Sequence, residues 1–295
     1  MSGPTASGKT NLGIEIAQYL QCPIISADSR QIYKELEIGV AKPNRQQLDQ
    51  TEHHLISEVS ISEVFDTAKY VEVVLDRMNS LFKKHNHLIL VGGTGLYIDA
   101  LLYGIDDMPT NDPLIADELQ QSFSSSGIGI LQEELKAKDP VYFQKVDRSN
   151  HVRLMRALNV IRQTNKPFSD FRNRQKITRP FDFMHFNIDI PRAILYERID
   201  CRVDEMINDG LESEVKSLIN YKDLQALQTV GYSEWWPYFE GFISQAEVIE
   251  KIKQHTRNYA KRQVTWFKKR ENISVPWSAS ILEMKMFVIN HLEKK

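Results

Sequence analysis

Residues 3–10 read GPTASGKT, and this short stretch decides how the rest of the chain is interpreted. Gly3, Gly8, Lys9 and Thr10 fit the pattern G-x-x-x-x-G-K-[ST], in which the backbone N–H groups of a glycine-rich loop cradle phosphate oxygens. The residues that follow place apolar side chains at helical spacing, so the loop opens directly into a helix. We therefore predict a phosphate site at the start of that helix, where unpaired N–H groups favour anions.

Strand-like and helix-like segments alternate over the first hundred residues. Apolar runs at 22–28, 53–59 and 87–95 are separated by helical periods, of which 65–86 is the longest, with Asp66 as its N-cap. Such alternation is typical of an α/β fold in which crossover helices connect parallel strands. We predict a P-loop NTPase-like parallel sheet with crossover helices.

The pattern changes after about residue 112. Strand signals are absent between 113 and 179, where the spacing predicts helices, and an apolar strand-like run returns at 181–190 before further helices. We predict a core made of residues 1–112 and 180–295, with a helical C-terminal part. A mostly helical insertion at 113–179 interrupts this core.

The phosphate loop lacks the strand that normally precedes it. Only Met1 and Ser2 stand before Gly3, whereas such a loop usually connects an apolar strand to a helix. About five buried apolar side chains would contribute on the order of 8–15 kcal/mol, which rivals the stability of a whole domain. We therefore expect the first core strand to lie upstream of Met1.

Polar residues follow two of the predicted strands. Asp28 comes after IISA, and Thr94 lies within VGGTG. Because the carboxyl ends of parallel strands share one edge of a sheet, both residues are expected beside the phosphate loop, where open α/β sheets bind ligands. Lys9 would add a positive charge to this site. The hydroxyl of Thr10 suits Mg²⁺ or a phosphate oxygen, so we predict Mg²⁺ as a cofactor with Thr10 as its protein ligand.

Basic residues are concentrated in two tracts, although the formal net charge of the chain is −2. Residues 148–179 contain nine Lys/Arg and one acidic residue, and residues 251–270 contain eight Lys/Arg and no acidic residue. Clusters of this kind on a nearly neutral chain favour a polyanionic partner. The alternative is a pair of solvated helix faces.

The overall composition excludes several other classes of protein. Apolar content of 42% and charged content of 26% are ordinary for a globular protein, and no apolar run reaches the ~18 residues of a membrane span. Cys22 and Cys201 form no C-x-x-C pair, so neither a zinc module nor a disulfide framework is indicated. We expect a cytoplasmic protein without membrane contact.

Nine stretches together resemble one enzyme family. In chain order they are GPTASGKT, ISADSRQIY, GVAKP, HHLI, VGGTGLY, RALNVIR, LYERIDCRVDEMINDGL, VGYSE and TRNYAKRQVTWF. This series, from Gly3 to about Phe267, is similar to the tRNA dimethylallyltransferases, also called tRNA isopentenyltransferases. Ala116, Gln228 and Ser233 depart from that pattern, since the family often has basic side chains at these positions.

The resemblance implies a prenyl transfer. The family transfers a five-carbon group from dimethylallyl diphosphate to N6 of adenosine 37, next to the tRNA anticodon, and releases diphosphate. The loop would then hold a leaving group whose negative charge grows in the transition state, which preorganised N–H groups and cations stabilise. The implied diphosphate-binding residues are Gly3, Pro4, Thr5, Ala6, Ser7, Gly8, Lys9, Thr10 and Arg202.

The catalytic residues implied by the resemblance are Asp28, Thr10 and Arg202. An exocyclic adenine amine is a poor nucleophile, so a carboxylate within hydrogen-bond reach would orient it and accept its proton as the C–N bond forms. We assign this role to Asp28. The alternative is that Asp28 is a helix N-cap or an outer ligand of magnesium.

The expected tRNA-binding residues come from both the resemblance and the charge pattern. They are Asp28, Ser29, Arg30, Gln31, Thr94, Arg153, Arg156, Arg257, Lys261 and Arg262. Three large side chains of the second basic tract, Ile252, Tyr259 and Trp266, recur at seven-residue intervals and are expected in the core rather than as stacking platforms for bases. The expected partners are the tRNA anticodon stem-loop and dimethylallyl diphosphate, and the expected state is a monomer.

Three other functions remain open at this point. A P-loop small-molecule kinase would share the loop, Mg²⁺ and the sheet. An adenylate isopentenyltransferase would use the same donor with free AMP, which needs no RNA-sized basic surface. A non-enzymatic RNA-binding module would leave Asp28 and the loop without a purpose.

Overall fold

The computed structural model describes residues 1–172 and 177–294, which form two compact units. The larger unit comprises Met1–Leu102 and Arg179–Lys295, and the smaller unit comprises Tyr103–Thr178. No helix within the described ranges is both long and apolar enough to span a bilayer.

A parallel sheet forms the centre of the larger unit, as the α/β prediction requires. Its strands are β1 (Ile24–Ser26), β2 (His53–His54), β3 (Ile89–Val91), β4 (Phe186–Asp189) and β5 (Ile273–Pro276). They pair in two groups, in the orders β2-β1-β3 and β4-β5, and every pair is parallel. The parallel α/β prediction is confirmed. The strand β5 was not predicted, because four residues ending in proline give almost no pattern, although proline is tolerated at the end of an edge strand.

Ser2 lies between the two groups of strands. It forms parallel bridges to Gly92, just after β3, and to Asn187 in β4. Its N–H donates to the Phe186 carbonyl at 2.8 Å, and its carbonyl accepts the N–H of Ile188 at 3.0 Å. The residues just before the phosphate loop therefore lie in the interior of the sheet, and Met1 and Ser2 occupy this place.

Helices cover the sheet and build the rest of the larger unit. They are α1 (Lys9–Leu20), α2 (Arg45–Leu48), α3 (Thr67–Leu81), α4 (Gly95–Tyr103), α9 (Arg192–Asn208), α10 (Leu211–Ser217), α11 (Trp236–Phe239), α12 (Gln245–Phe267) and α13 (Ile281–Leu292). Asp66 is the N-cap of α3, and its side chain accepts the N–H of Lys69, as predicted. Three short 3-10 helices, Ile219–Tyr221, Gln225–Leu227 and Ser233–Trp235, connect α10 to α11.

The core beside the phosphate loop joins residues that are distant in sequence. Leu12 and Ile16 of α1 pack with Ile188 of β4, Ile199 of α9 and Val275 of β5. These side chains are at most 1% exposed, and their burial removes apolar surface from water. The helix that begins at the loop is thus fixed against the C-terminal half of the chain.

The smaller unit is helical, as the sequence predicts for this region. It consists of α5 (Pro113–Ser126), α6 (Ile128–Lys138), α7 (Pro140–Phe143), α8 (His151–Thr164) and a 3-10 helix, Phe168–Phe171. Its core contains Leu119, Leu135 and Leu158, all fully buried. The unit begins at Tyr103 rather than at the proposed residue 113. Buried Asn159 of α8 accepts the N–H of Asp112 and donates to its carbonyl, which fastens the entry segment to this unit.

Candidate active site

The phosphate loop has the backbone geometry of an anion cradle. Gly8, the N-cap of α1, adopts φ +93° and has no side chain that could accept the first-turn N–H groups of the helix. Ala6 also lies in the left-handed region, at φ +62°, where an L residue is uncommon. The hydroxyl of Ser7 is buried and has no hydrogen-bond partner among the residues that the structure describes. Unpaired donors in a tight loop at a helix N-terminus favour a bound anion.

Lys9, the first residue of α1, brings an ammonium group into the loop. Its Nζ donates to the Pro4 carbonyl at 3.2 Å. Burial lowers the pKa of Lys9 to about 8, the carboxylate of Asp28 opposes this shift, and Arg202 adds to it. A partly desolvated cation of this kind gains from an anionic ligand, which restores its charged form.

Two arginines of α9 face the same loop. Arg198 Nε donates to the Ala6 carbonyl at 2.7 Å and so holds the left-handed turn of the loop. Arg202 lies one helical turn further along α9. Burial lowers the pKa of Arg202, and the nearby charge of Arg198 lowers it further. Arg202 lies beside the loop, at the position that the sequence predicted, and lines both cavities together with Lys9. Arg198 was not predicted, because its partner is a backbone carbonyl that sequence spacing does not reveal.

Two adjoining cavities meet at these cations. One has a volume of about 570 Å³ and the other about 490 Å³. Thr5, Lys9, Asp28 and Arg202 line both of them. Thr10 lines the second cavity, beside Lys9. The larger cavity is big enough for a ligand of drug size.

Asp28 stands at the carboxyl end of β1, in a turn that it stabilises itself. Its Oδ1 accepts the N–H groups of Arg30 at 2.9 Å and of Gln31 at 3.3 Å. Thr94, after β3, accepts the Ser29 N–H through Oγ1 at 3.0 Å, and its own N–H donates to the Ala27 carbonyl at 3.1 Å. The two strand ends are therefore joined, as predicted, and Asp28 and the phosphate loop share the cavity wall.

The other two residues of this turn have contacts within the fold. Gln31 donates through Nε2 to the carbonyls of Val40 and Ala41, at 3.3 and 2.9 Å, and so holds the loop that forms another wall of the cavities. Arg30 lines the larger cavity and donates to the Gln225 carbonyl at 3.1 Å.

The comparisons with known proteins agree with one another. The model of the IPP transferase family matches residues 31–270. A tRNA dimethylallyltransferase of Cytophaga hutchinsonii is 40% identical over 292 residues, which cover 99% of this chain and 96% of the relative. The corresponding protein of Flavobacterium johnsoniae is 41% identical over 298 residues, with the same coverage. The chain belongs to the tRNA dimethylallyltransferase family.

Solved structures of this family have the same fold. The crystal structure of a tRNA isopentenylpyrophosphate transferase from Staphylococcus epidermidis has a TM-score of 0.72 and 31% identity, and the match covers 99% of this chain and 97% of that one. A eukaryotic dimethylallyltransferase acting on tRNA has a TM-score of 0.77 and 26% identity, over 94% of this chain and 73% of that one.

In this family member, α12 contributes more to the cavity than the sequence indicates. Ile252 and Tyr259 both line the larger cavity; Ile252 is buried as predicted, whereas the side chain of Tyr259 is only partly buried. Burial raises the pKa of Tyr259 to about 12, the charge of Asp28 adds to this, and a hydrogen bond with Thr94 opposes it. Trp266 donates to Asp99 at 3.1 Å, which is a contact within the fold.

The basic residues of α12 divide into two groups. Arg257 donates to Asp200 of α9 at 2.5 Å, so its charge is used inside the fold, which its prediction as a phosphate contact did not anticipate. Lys261 and Arg262 are exposed. The guanidinium carbon of Arg262 lies 5.7 Å from the centre of the Tyr259 ring, and Arg262 also lines the larger cavity.

The two arginines predicted in the smaller unit also differ. Arg153 of α8 is exposed. Arg156 donates to Asn111 Oδ1 at 2.7 Å and to the Pro109 carbonyl at 2.6 Å, and so fixes the entry segment of this unit. Part of the first basic tract, residues 173–176, lies outside the described residues.

Several residues of the larger cavity were not predicted as site residues. They include Thr229, Glu234, His255, Tyr259 and Gln263. Glu234 is buried, accepts the Gly231 N–H at 2.9 Å and contacts His255 Nδ1 at 2.7 Å. Gln228 and Ser233, which depart from the family pattern, lie on the same wall. The motif VGYSE marks this segment in the sequence, but its contact with α12 could not be inferred from it.

Proposed function

We propose that this protein transfers the dimethylallyl group of dimethylallyl diphosphate to N6 of adenosine 37 in tRNA and releases diphosphate. The observation that carries the proposal is the shared cavity wall, in which Lys9 and Arg202 stand beside Asp28. An anion site and a carboxylate base in one cavity suit a reaction that expels an anion while an amine loses a proton.

The donor would bind with its diphosphate in the loop of residues 3–10. The N–H groups at the start of α1, Lys9 and Arg202 would hold the oxygens that gain negative charge as the C1–O bond breaks. Arg198 would support this role indirectly, since it fixes the Ala6 carbonyl. A loop held in this way needs little rearrangement when the transition state forms, which is the advantage of preorganisation.

A magnesium ion fits this arrangement through Thr10. Among residues 1–172 and 177–294, no group of three or more His, Cys, Asp or Glu could hold a metal ion. Mg²⁺ commonly combines one or two protein groups with phosphate oxygens and water, and the Thr10 hydroxyl beside Lys9 suits such a shared site. Bound there, the ion would neutralise part of the diphosphate charge.

The acceptor would enter the larger cavity as an extruded adenine. Asp28 would accept a proton from the amine, while Thr94 and Ser29 hold the turn that presents the carboxylate. Extruding a base costs a few kcal/mol, which contacts to the anticodon arm must supply. Lys261 and Arg262 support such contacts, since they are exposed on the helix that lines the cavity, and Arg153 of the smaller unit is a further candidate.

The two alternative enzymes, a small-molecule kinase and an adenylate isopentenyltransferase, both act on a small acceptor instead of tRNA. A small-molecule kinase or an adenylate isopentenyltransferase would also use the loop and Asp28, but neither requires exposed cations along α12. The family relationship with tRNA dimethylallyltransferases supports the tRNA acceptor over free AMP. A cytoplasmic location would follow from a tRNA substrate, and we retain the monomer as the proposed state.

The deciding experiment incubates the protein with labelled dimethylallyl diphosphate and Mg²⁺, and with either tRNA that lacks the modification or AMP. Label should appear in tRNA, and nuclease digestion should place it on adenosine 37. Arg202→Gln and Lys9→Met should reduce incorporation. Labelling of AMP alone, or phosphate transfer from ATP without prenyl transfer, would refute the proposal.

A further inference from the structure

A buried amide of α12 connects the two sides of the active site. The side chain of Gln263 is 5% exposed, lines the larger cavity and has both of its polar ends paired. Its Oε1 accepts the N–H of Thr5 at 2.8 Å, and its Nε2 donates to the carbonyl of Gly93 at 2.9 Å. Because one partner is a donor and the other an acceptor, the orientation of the amide is fixed.

The two partners of Gln263 belong to the two halves of the reaction. Thr5 lies in the phosphate loop, which would hold the donor. Gly93 is the neighbour of Thr94, whose Oγ1 accepts the N–H of Ser29 in the turn that presents Asp28. Hydrogen bonds, together with the peptide link from Gly93 to Thr94, therefore connect the phosphate loop to the turn that carries Asp28, and Gln263 bridges the two.

The contact with Gly93 is close. A Cβ added at Gly93 would collide with Nε2 of Gln263, so a residue with a side chain would push the amide out of its place. The carbonyl oxygen of Gly3, in the phosphate loop, lies at an ordinary contact distance of 3.4 Å from the same added Cβ. The spacing between the phosphate loop and the β3–α4 turn is thus set at this point by a glycine and an amide.

We propose that Gln263 is a positioning residue for group transfer, which sets the distance between the diphosphate loop and the turn that carries Asp28. The inference rests on the proposed function. In that reaction the C1 atom of the donor and the N6 atom of the acceptor must approach to about 3–3.5 Å before they react. Gln263 needs no contact with either substrate to influence this distance, because it acts through Thr5 and Gly93.

A positioning role predicts a rate defect rather than a binding defect. Gln263→Met keeps the side-chain length and removes both hydrogen bonds. We expect the single-turnover rate constant at saturating donor and tRNA to fall about 10- to 100-fold, since misplacement of the order of 1 Å can cost that much. The separate dissociation constants for dimethylallyl diphosphate and for tRNA should change less than about threefold, because the groups that touch each substrate remain.

The matched control is Gln254→Met, which makes the same change at an exposed position of the same helix and should leave the rate constant within about twofold of wild type. Gln263→Glu keeps an acceptor for Thr5 but turns the second contact into two facing oxygens, so it should not restore the rate. A variant that is only partly folded would lower the amplitude of the single turnover, whereas a positioning defect lowers its rate constant.

Gly93→Ala tests the same contact from the other side and decides the matter if Gln263→Met does not fold. It should produce a similar loss, and the double variant should be no slower than the slower single variant, because both changes break one contact. A rate constant within twofold of wild type in folded Gln263→Met or Gly93→Ala would overturn the inference, as would a loss explained wholly by weaker binding. An inactive wild-type protein would instead refute the proposed function.

Discussion

Lys9 provides a pH test of the diphosphate site. Burial lowers the pKa of Lys9 to about 8 in the free protein, and a bound diphosphate would raise it again by favouring the ammonium form. Only the protonated protein then binds with full strength. The affinity for the donor should therefore be nearly constant below pH 8 and decrease as the pH rises above it.

The size of the effect follows from the pKa. With a value of about 8, roughly nine-tenths of Lys9 is protonated at pH 7 and roughly one-tenth at pH 9, so the dissociation constant should rise about tenfold between these values. The shift of the pKa from 10.5 corresponds to about 3 kcal/mol between the two protonation states. Most of that difference should be regained when the anion binds.

Titration calorimetry with dimethylallyl diphosphate between pH 6.5 and 9.5 measures this dependence. Lys9→Arg is the control, because a guanidinium stays charged throughout the range while every other ionisation, including that of the ligand, is shared with wild type. The difference between the two curves therefore isolates Lys9. A wild-type affinity that is constant up to pH 9.5, or an equal decline in Lys9→Arg, would refute the reasoning.

Three further changes test the base, the tRNA surface and a buried histidine. Asp28→Asn should lower the single-turnover rate of prenyl transfer by about 10²- to 10⁴-fold, with tRNA affinity in filter binding changed less than about threefold. The double variant Lys261→Gln, Arg262→Gln should reduce the slope of log Kd for tRNA against log salt by roughly 1–2. Burial lowers the pKa of His185 from 6.5 to about 4, so the unfolded chain binds more protons between these values and stability falls as the pH drops through this window. Between pH 7 and 4.5, urea unfolding should show a loss about 2 kcal/mol larger in wild type than in His185→Gln. The buried N-terminal amine, whose pKa burial lowers to about 5, contributes to the loss in both proteins.

Each of these tests has its own contrary result. If Asp28→Asn weakens tRNA binding in proportion to the rate, Asp28 is a binding residue and not the base. Arg257→Gln is the comparison for the salt slope, since Arg257 is already paired with Asp200 and its loss should change the slope less than the exposed pair does. If wild type and His185→Gln lose equal stability between pH 7 and 4.5, the loss is caused by other groups and not by His185.

The sequence predicted those parts of the site that are local. The phosphate loop is eight consecutive residues whose backbone geometry depends on its own glycines, and Asp28 and Thr94 directly follow strands. Since parallel strands end at one edge, their meeting needed no further information. Arg202 came from the family resemblance, because its spacing in α9 also fits an ordinary surface ion pair.

The parts of the site that the sequence did not predict depend on contacts between elements that are distant in the chain. Gln263 lies in a basic tract and shows no sign in the sequence that its amide joins Thr5 to Gly93. Arg257 and Arg156 remain predicted tRNA contacts, but the sequence did not reveal their partners in the fold, which are Asp200 for Arg257 and Asn111 with the Pro109 carbonyl for Arg156. A count of cations therefore does not show which of them keep all their donors free for a nucleic acid, because packing decides this.

The position of Ser2 between the two groups of strands, here called the Ser2 seam, has a consequence for the motions of the sheet. The groups β2-β1-β3 and β4-β5 meet across the backbone of Met1 and Ser2, and the phosphate loop starts at the next residue. A ligand that orders Gly3 would also tighten this seam, so the amide protons of Gly92 and Ile188 should exchange with solvent more slowly once diphosphate is bound. Occupancy of the cradle would thereby stiffen the interior of the sheet and raise the melting temperature of the protein.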